Sequence, residues 1–121
     1  MKIKSIDEQF SICKVKDYSL VDLSHEFTFV SKTDEENSLV CPTKYIPLNV
    51  LELDHGWRAF RIEGILDFSL IGILSKISTI LSNHQIGIFA ISTFNTDYIF
   101  VKEESFEKAI EYLKKDGYTI I

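Results

Sequence analysis

The stretch that decides the fold is "WRAFRIEGILDFSLIGILSKISTILSNHQIGIFAISTFNTDYIFVK", residues 57–102. Its first part, 57–63, alternates with a period of two, which is typical of a β-strand. In the next part, 70–81, apolar residues recur at spacings of three and four, which predicts an amphipathic helix. Asp67 or Ser69 would cap the N-terminus of that helix. The segment therefore begins with a strand followed by a helix.

The rest of the chain continues this alternation of strands and helices. Two apolar runs, 86–92 and 97–102, predict strands. A second helical stripe follows at 106–113, with acidic residues before it and lysines after it, as the helix dipole favours. The last residues, 118–121, predict a short strand. The order β-α-β-β-α-β over 56–121 predicts an α+β fold of the ferredoxin-like type, with one sheet and both helices on one face.

The first half of the chain is less regular. Strands are predicted at 10–15, 27–32 and 38–42, and 18–27 predicts at most a short helix. We expect the boundary between the halves at His55–Gly56.

The two halves carry a short internal repeat. Ser31 and Ser92 each end a strand, and an acidic residue, Glu36 or Asp97, follows each serine after five residues. In both places a polar turn leads into another strand. Chance is the alternative explanation for so short a match. The repeat predicts a shortened α+β unit at 1–55 that precedes the domain at 56–121.

Composition excludes several classes of partner. The chain has 121 residues and a formal net charge of −5. Nucleic acids and anionic membranes attract clustered Lys and Arg, so we expect neither as a partner. The sequence contains no run of about 20 apolar residues and no signal-peptide core, which predicts a cytoplasmic location. We expect Cys13 and Cys41 to be buried free thiols, with a disulfide possible only if their strands are neighbours.

The sequence shows no catalytic arrangement. His25, His55 and His84 fall in different predicted elements and lack the spacing of metal ligands. Neither a nucleophile elbow nor a phosphate-binding glycine loop is present. The acidic run 33–37 lacks the alternating spacing of a calcium loop and is interpreted as a solvated turn. We therefore expect no catalytic residue, no metal site and no cofactor.

The turn between the strands 86–92 and 97–102 carries more side-chain chemistry than a connection needs. Turn geometry alone could account for Asn95, Thr96 and Asp97, but not for Phe94. In a ferredoxin-like layout we place this turn near the start of the first helix. There, unpaired N–H groups favour a carboxylate, and Gly72 leaves room for a ligand. Asp97 could pair with an ammonium group while Phe94 packs on an aliphatic stem, which suggests a pocket for an α-amino acid.

The runs "EGILDFSLIGIL" and "IFAISTFNTDY" together resemble the ACT domain, in its small stand-alone form with two tandem units. The resemblance is strongest over 56–116. It extends to the arginine-sensing CASTOR-type proteins and to the regulatory ACT domains of aspartate kinases. It implies that amino acids or similar effectors bind at an interface between two ACT units. By position, the resemblance places the ligand contacts on Leu70, Ile71, Gly72, Ile73, Thr93, Phe94, Asn95 and Asp97.

The resemblance also implies a function. Relatives that hold a basic side chain can place an acid at the helix start, where this chain has Leu70 and Ile71, so an apolar or small amino acid is favoured over a basic one. The implied protein is a non-catalytic amino-acid sensor that works as a homodimer through an unknown protein partner. One alternative is a purely structural oligomerisation module without a ligand. A small enzyme is a third reading, which the missing nucleophile and metal set oppose.

Overall fold

The computed structural model describes residues 1–63 and 72–121. Within them the elements are, in chain order, β1 (Lys2–Val15), β2 (Phe29–Lys32), β3 (Asn37–Pro42), a 3-10 helix (Thr43–Tyr45), β4 (Val50–Ile62), α1 (Ile73–Asn83), β5 (Ile88–Ser92), β6 (Asp97–Lys102), α2 (Glu103–Lys115) and β7 (Thr119–Ile120).

The chain forms two compact units. Met1–Asp7 and Arg58–Ile121 make up what we name the C-terminal unit, and Glu8–Trp57 make up the N-terminal unit. The expected boundary at His55–Gly56 lies inside β4, which contributes residues to both units. Gly56 has a φ of 84° there, a backbone conformation that glycine adopts without steric cost. The first seven residues of the chain group with the C-terminal unit and not with the residues that follow them.

The C-terminal unit has the expected β-α-β-β-α-β order and is α+β, as the sequence predicted. Its strands follow the order β7-β1-β4-β6-β5, so the start of β1 lies between β7 and β4. β1 pairs with β7 in parallel, with Lys2 opposite Thr119. On its other side, the Glu63 N–H donates to the Lys2 carbonyl oxygen at 2.9 Å. The ferredoxin-like sheet therefore gains one strand from the beginning of the chain.

The core of the C-terminal unit is built from the two helical stripes read in the sequence. α1 buries Ile77 and Leu81, and α2 buries Phe106, Ala109 and Leu113. Burying each large apolar side chain contributes about 1.5–3 kcal/mol. The strand residues in the same cluster are Ile3, Phe60, Ile62, Ile99 and Val101.

Both helices of this unit have a glycine at one end. α1 begins after Gly72, which has a φ of 86° and offers no side-chain cap. The caps predicted for this helix, Asp67 and Ser69, lie outside the described residues. α2 is followed by Gly117 with a φ of 101°, the left-handed residue that commonly terminates a helix.

The N-terminal unit keeps the strand order of the ferredoxin-like motif without its helices. The order is β2-β3-β1-β4, with Ser11 opposite Cys41 and Ser31 opposite Ser38 in antiparallel pairs. Residues 16–28 form turns where the first helix would stand. Only the 3-10 helix stands in place of the second helix. The four strands of this unit therefore follow the ferredoxin-like order, with turns and a 3-10 helix between them.

Local side-chain bonds explain why residues 18–27, where the sequence predicted at most a short helix, form turns. Asp17 Oδ1 accepts from the N–H and the hydroxyl of Ser19, at 3.1 and 2.5 Å. Asp22 Oδ1 accepts from the same groups of Ser24, at 2.9 and 2.6 Å. Such turns compete with helical backbone bonds. The serine hydroxyls, and then the serine amides, also lower the pKa of both carboxyl groups.

The two β-hairpins close with the same hydrogen bonds. In the turns 33–36 and 93–96, the N–H of the first residue donates to the carbonyl of the last, at 3.0 and 2.8 Å. The hydroxyl of the first threonine accepts the N–H of the last residue, at 3.2 and 3.3 Å. The repeat is therefore present in the structure, but shifted by one residue. Asn37, and not Glu36, occupies the position that corresponds to Asp97.

Cys13 and Cys41 are buried free thiols, as predicted. Their strands are neighbours, but Cys13 stands opposite Leu39 and Cys41 opposite Ser11, so the two cysteines are diagonal partners. Diagonal positions lie about 7–8 Å apart, which is too far for an unstrained disulfide. The hydrogen bond with Cys13, followed by burial, raises the pKa of the Cys41 thiol.

Candidate functional site

The turn between β5 and β6 is fixed to the end of β4. The Thr93 hydroxyl donates to the Thr96 carbonyl oxygen at 2.9 Å and so closes the turn on itself. Thr96 is buried, and its hydroxyl donates to the Ile62 carbonyl oxygen at 2.6 Å. The Thr96 side chain therefore fixes the position of the turn. In the sequence, Thr96 was interpreted only as a residue that favours turns.

Asp97 and Phe94 differ in how the protein holds them. Asp97 stands opposite Ser92 in the β5–β6 pair, and the Ser92 hydroxyl donates to Asp97 Oδ1 at 2.5 Å. Phe94 is 91% exposed, and Asn95 beside it is exposed too. The structure therefore presents an aromatic ring to solvent next to a carboxylate that a serine orients.

The start of α1 opens into a cavity of about 280 Å³. Its lining includes Met1, Gly72, Ile73, Lys76, Asp116 and Tyr118. Burial, and then the charge of Asp116, raises the pKa of the Tyr118 hydroxyl, so this ring stays neutral. The cavity thus combines one cationic and one anionic side chain with apolar walls, beside the N–H groups of a helix start.

The helix start and the turn lie at the same end of the unit, where β4 finishes. Thr96 contacts Ile62 there, and Glu63 contacts Lys2, the neighbour of the cavity residue Met1. Gly72 and Ile73 line the cavity, whereas Thr93, Phe94 and Asn95 belong to the turn and Asp97 is the first residue of β6. Leu70 and Ile71 lie outside the described residues.

Sequence reasoning missed the two charged residues of this cavity. Lys76 lies outside the apolar stripe of α1 and is exposed, so the sequence offered no local signal that it lines a cavity. Asp116 follows the last turn of α2, where a helix end and a solvated acid are expected together. The packing of α2 beside α1 brings Asp116 to this cavity, so nothing in its local sequence indicated a site.

A comparison with protein families matches the ACT domain over residues 52–115. This is more than half of the chain. The chain belongs to the ACT domain family. No curated protein matches it.

Solved structures share the ACT fold. A protein from Agobacterium tumefaciens is 30% identical, with a TM-score of 0.87 over 99% of this chain and 91% of that one. A Vibrio cholerae protein of unknown function, described as a possible transport protein, is 20% identical, with a TM-score of 0.73 over 94% and 88%. The aspartate kinase of Clostridium acetobutylicum, described as an allosteric enzyme, is 15% identical, with a TM-score of 0.63 over 92% and 33%. At these identities the last two show the fold alone.

The histidines of the ACT protein take part in separate local contacts. His25 stacks on Tyr45, and the His55 ring nitrogen lies 3.0 Å from the Ser11 hydroxyl. In the part of the chain that the structure describes, no group of three or more His, Cys, Asp or Glu side chains could hold a metal ion. Within residues 1–63 and 72–121, neither helix has the length and apolar content needed to cross a membrane.

Proposed function

We propose that this chain is a non-catalytic regulatory protein that binds an α-amino acid in its ACT unit, the C-terminal unit described above. The observation that carries the proposal is the cavity at the start of α1, which contains both Lys76 and Asp116. The ligand carboxylate would bind to the N–H groups of the first helical turn and to Lys76. Its ammonium group would pair with Asp116 or Asp97. An α-amino acid supplies these two opposite charges on adjacent groups.

The size and lining of the cavity favour an apolar or small side chain. A volume of about 280 Å³ suits a small molecule. The lining includes the uncharged side chains of Met1, Ile73 and Tyr118, and the pKa of the Tyr118 hydroxyl is raised. A basic ligand would need a second acid for its side chain, in addition to the acid that holds its ammonium group.

We propose further that the protein acts as a homodimer in the cytoplasm and that the ligand lies at an interface between two ACT units. Phe94 supports this, because a ring that is 91% exposed gains from being covered by a second surface. Ligand bridging would then change the affinity for a protein partner through coupling free energy.

A thermal-shift screen of the common amino acids at millimolar concentration tests the proposal. A ligand at about 100 times its dissociation constant adds about 2.7 kcal/mol of stability, which raises the melting temperature by several degrees. If no amino acid raises the melting temperature, amino-acid binding is refuted.

Four variants then locate the ligand. We expect Asp97→Ala to abolish the shift while the protein stays folded, and Lys76→Ala to reduce it. Lys108→Ala, a matched change on an exposed lysine of α2, should leave the shift unaltered. If the shift survives Asp97→Ala but disappears in Asp116→Ala, the ligand ammonium group binds in the cavity. If the shift survives both changes, the ligand does not bind at this end of the unit.

A further inference from the structure

The N-terminal unit contains a cavity of about 320 Å³ at the position of a missing helix. Leu39 and Cys41 of β3 line it. In the matching hairpin of the ACT unit, the equivalent residues are Ile99 and Val101, which pack in the core with α1 and α2. Because the N-terminal unit has no such helices, the same face of its sheet is left accessible as the floor of a cavity.

The walls of this cavity are tied to the sheet. On one side, the Tyr18 hydroxyl reaches the carbonyl oxygens of Ser31 and Ser38 at 3.0 and 2.9 Å. The rings of His25 and Tyr45 stack in parallel, 3.6 Å between centroids, and join the segment 16–28 to the 3-10 helix. The cavity is thus bounded by segments that specific contacts hold in place.

The lining is mixed but mainly apolar. Val21, Ile46 and Pro47 belong to it together with the floor residues, whereas Asp22, His25 and Thr28 supply polar groups. Asp22 Oδ1 is occupied by Ser24, and Oδ2 lies 3.5 Å from His25 Nε2. The serine hydroxyl lowers the pKa of the Asp22 carboxyl, which keeps it ionised. Among the described residues that line the cavity there is no Lys or Arg.

We propose that this cavity binds a small primary amine with an apolar body, with the ammonium group on Asp22 Oδ2 and the body over Leu39 and Cys41. A volume of 320 Å³ corresponds to about ten water molecules of roughly 30 Å³ each, which suits a ligand of roughly ten non-hydrogen atoms. A free amino acid fits less well, because its carboxylate would meet Asp22 without a lysine or arginine to pair with. The site is therefore different in chemistry from the one at the start of α1.

The probe is phenethylamine, titrated into the full ¹⁵N-labelled chain and followed by amide chemical shifts. We expect saturable shifts in 20–28 and 45–48. The matched neutral probe, 2-phenylethanol, should bind about two- to fivefold more weakly, because it lacks the ammonium charge that pairs with the Asp22 carboxylate, whose side chain is 59% exposed. Phenylalanine should also bind more weakly in these segments. Absence of saturable shifts there, or equal affinity for the amine and the alcohol, would overturn the proposal.

Two variants with the same local chemistry separate a ligand contact from a turn effect. Asp22→Asn removes the charge and keeps an oxygen for Ser24, and it should weaken phenethylamine binding about two- to fivefold. Asp17→Asn makes the same change in the equivalent turn with Ser19, outside the cavity lining, and should leave the affinity unchanged. Equal affinities of the two variants would refute the role of Asp22. Should Asp22→Asn fail to fold, the comparison of the amine with the alcohol on the unchanged protein still tests whether the ammonium charge contributes to binding.

Discussion

Replacing Thr96 by valine tests whether one hydroxyl anchors the β5–β6 turn. Thr96 is only 7% exposed, and its hydroxyl donates to the Ile62 carbonyl oxygen at 2.6 Å. Valine has nearly the same shape, so the change removes this hydrogen bond and leaves the packing in place. The bond connects the turn to the last residue of β4.

The expected loss follows from the burial of both partners. Removing one partner of a buried hydrogen bond costs about 1–3 kcal/mol, because the other polar group then stays buried without a hydrogen bond to replace those it made with water. The added methyl group returns at most about 0.8 kcal/mol. We therefore expect Thr96→Val to lower the free energy of unfolding by roughly 1–2 kcal/mol. For a chain of this size that corresponds to a fall of about 0.5–1 M in the urea midpoint.

Urea unfolding followed by far-ultraviolet circular dichroism measures this loss. Thr119→Val is the matched control, since Thr119 is exposed on β7, and it should change the free energy of unfolding by no more than about 0.5 kcal/mol. If the midpoint of Thr96→Val stays within about 0.2 M of the control, the anchoring bond contributes nothing and the reasoning is refuted.

Two further predictions concern the core and the surface turns. Leu81→Ala, at a fully buried position of α1, should lower the free energy of unfolding in urea by about 2–5 kcal/mol. Leu48→Ala, at a position 96% exposed, should lower it by less than about 0.5 kcal/mol. Similar losses in the two variants would contradict the assigned core. Because the pKa of Asp17 is lowered on folding, chiefly by the Ser19 hydroxyl, its contribution to stability is present above its ordinary pKa of 3.8 and is lost as the pH falls through the lower folded value. A ¹³C NMR titration should show this lowered pKa and its return towards 3.8 in Ser19→Ala; an unchanged titration in that variant would disprove the cause.

The sequence predicted the α+β class and the order of the C-terminal elements because its apolar periods are strong there. It did not predict that β1 starts at Lys2, although Ile3 and Ile6 are both buried. The lysines beside Ile3 obscure a strand whose place between β7 and β4 depends on pairing with distant residues. At 18–27, where the sequence predicted at most a short helix, the chain forms turns for a local reason, since two Asp side chains bind the backbone N–H groups of Ser19 and Ser24.

The candidate site was predicted less completely than the fold. Local sequence was enough to single out the turn 93–96 and Gly72, because polar groups and a glycine interrupt apolar runs there. Lys76 and Asp116 lie 40 positions apart in the sequence and meet only through the packing of α1 beside the end of α2. The sequence did not predict the cavity of the N-terminal unit either. That cavity lies where the unit lacks the helices of the ferredoxin-like motif.

The two matching hairpins differ in chemistry at the residues that follow their turns. In the ACT unit the last turn residue is the buried Thr96, and Asp97 after it keeps a carboxylate that Ser92 orients. At the corresponding positions the N-terminal unit has Glu36, which is exposed, and Asn37, whose amide donates to the Lys16 carbonyl oxygen at 2.9 Å. At this position the N-terminal hairpin therefore has an amide in a structural bond where the ACT hairpin has a carboxylate. A ligand ammonium group in that unit would need another partner, and the proposed one is Asp22, which lines the cavity together with Leu39 and Cys41.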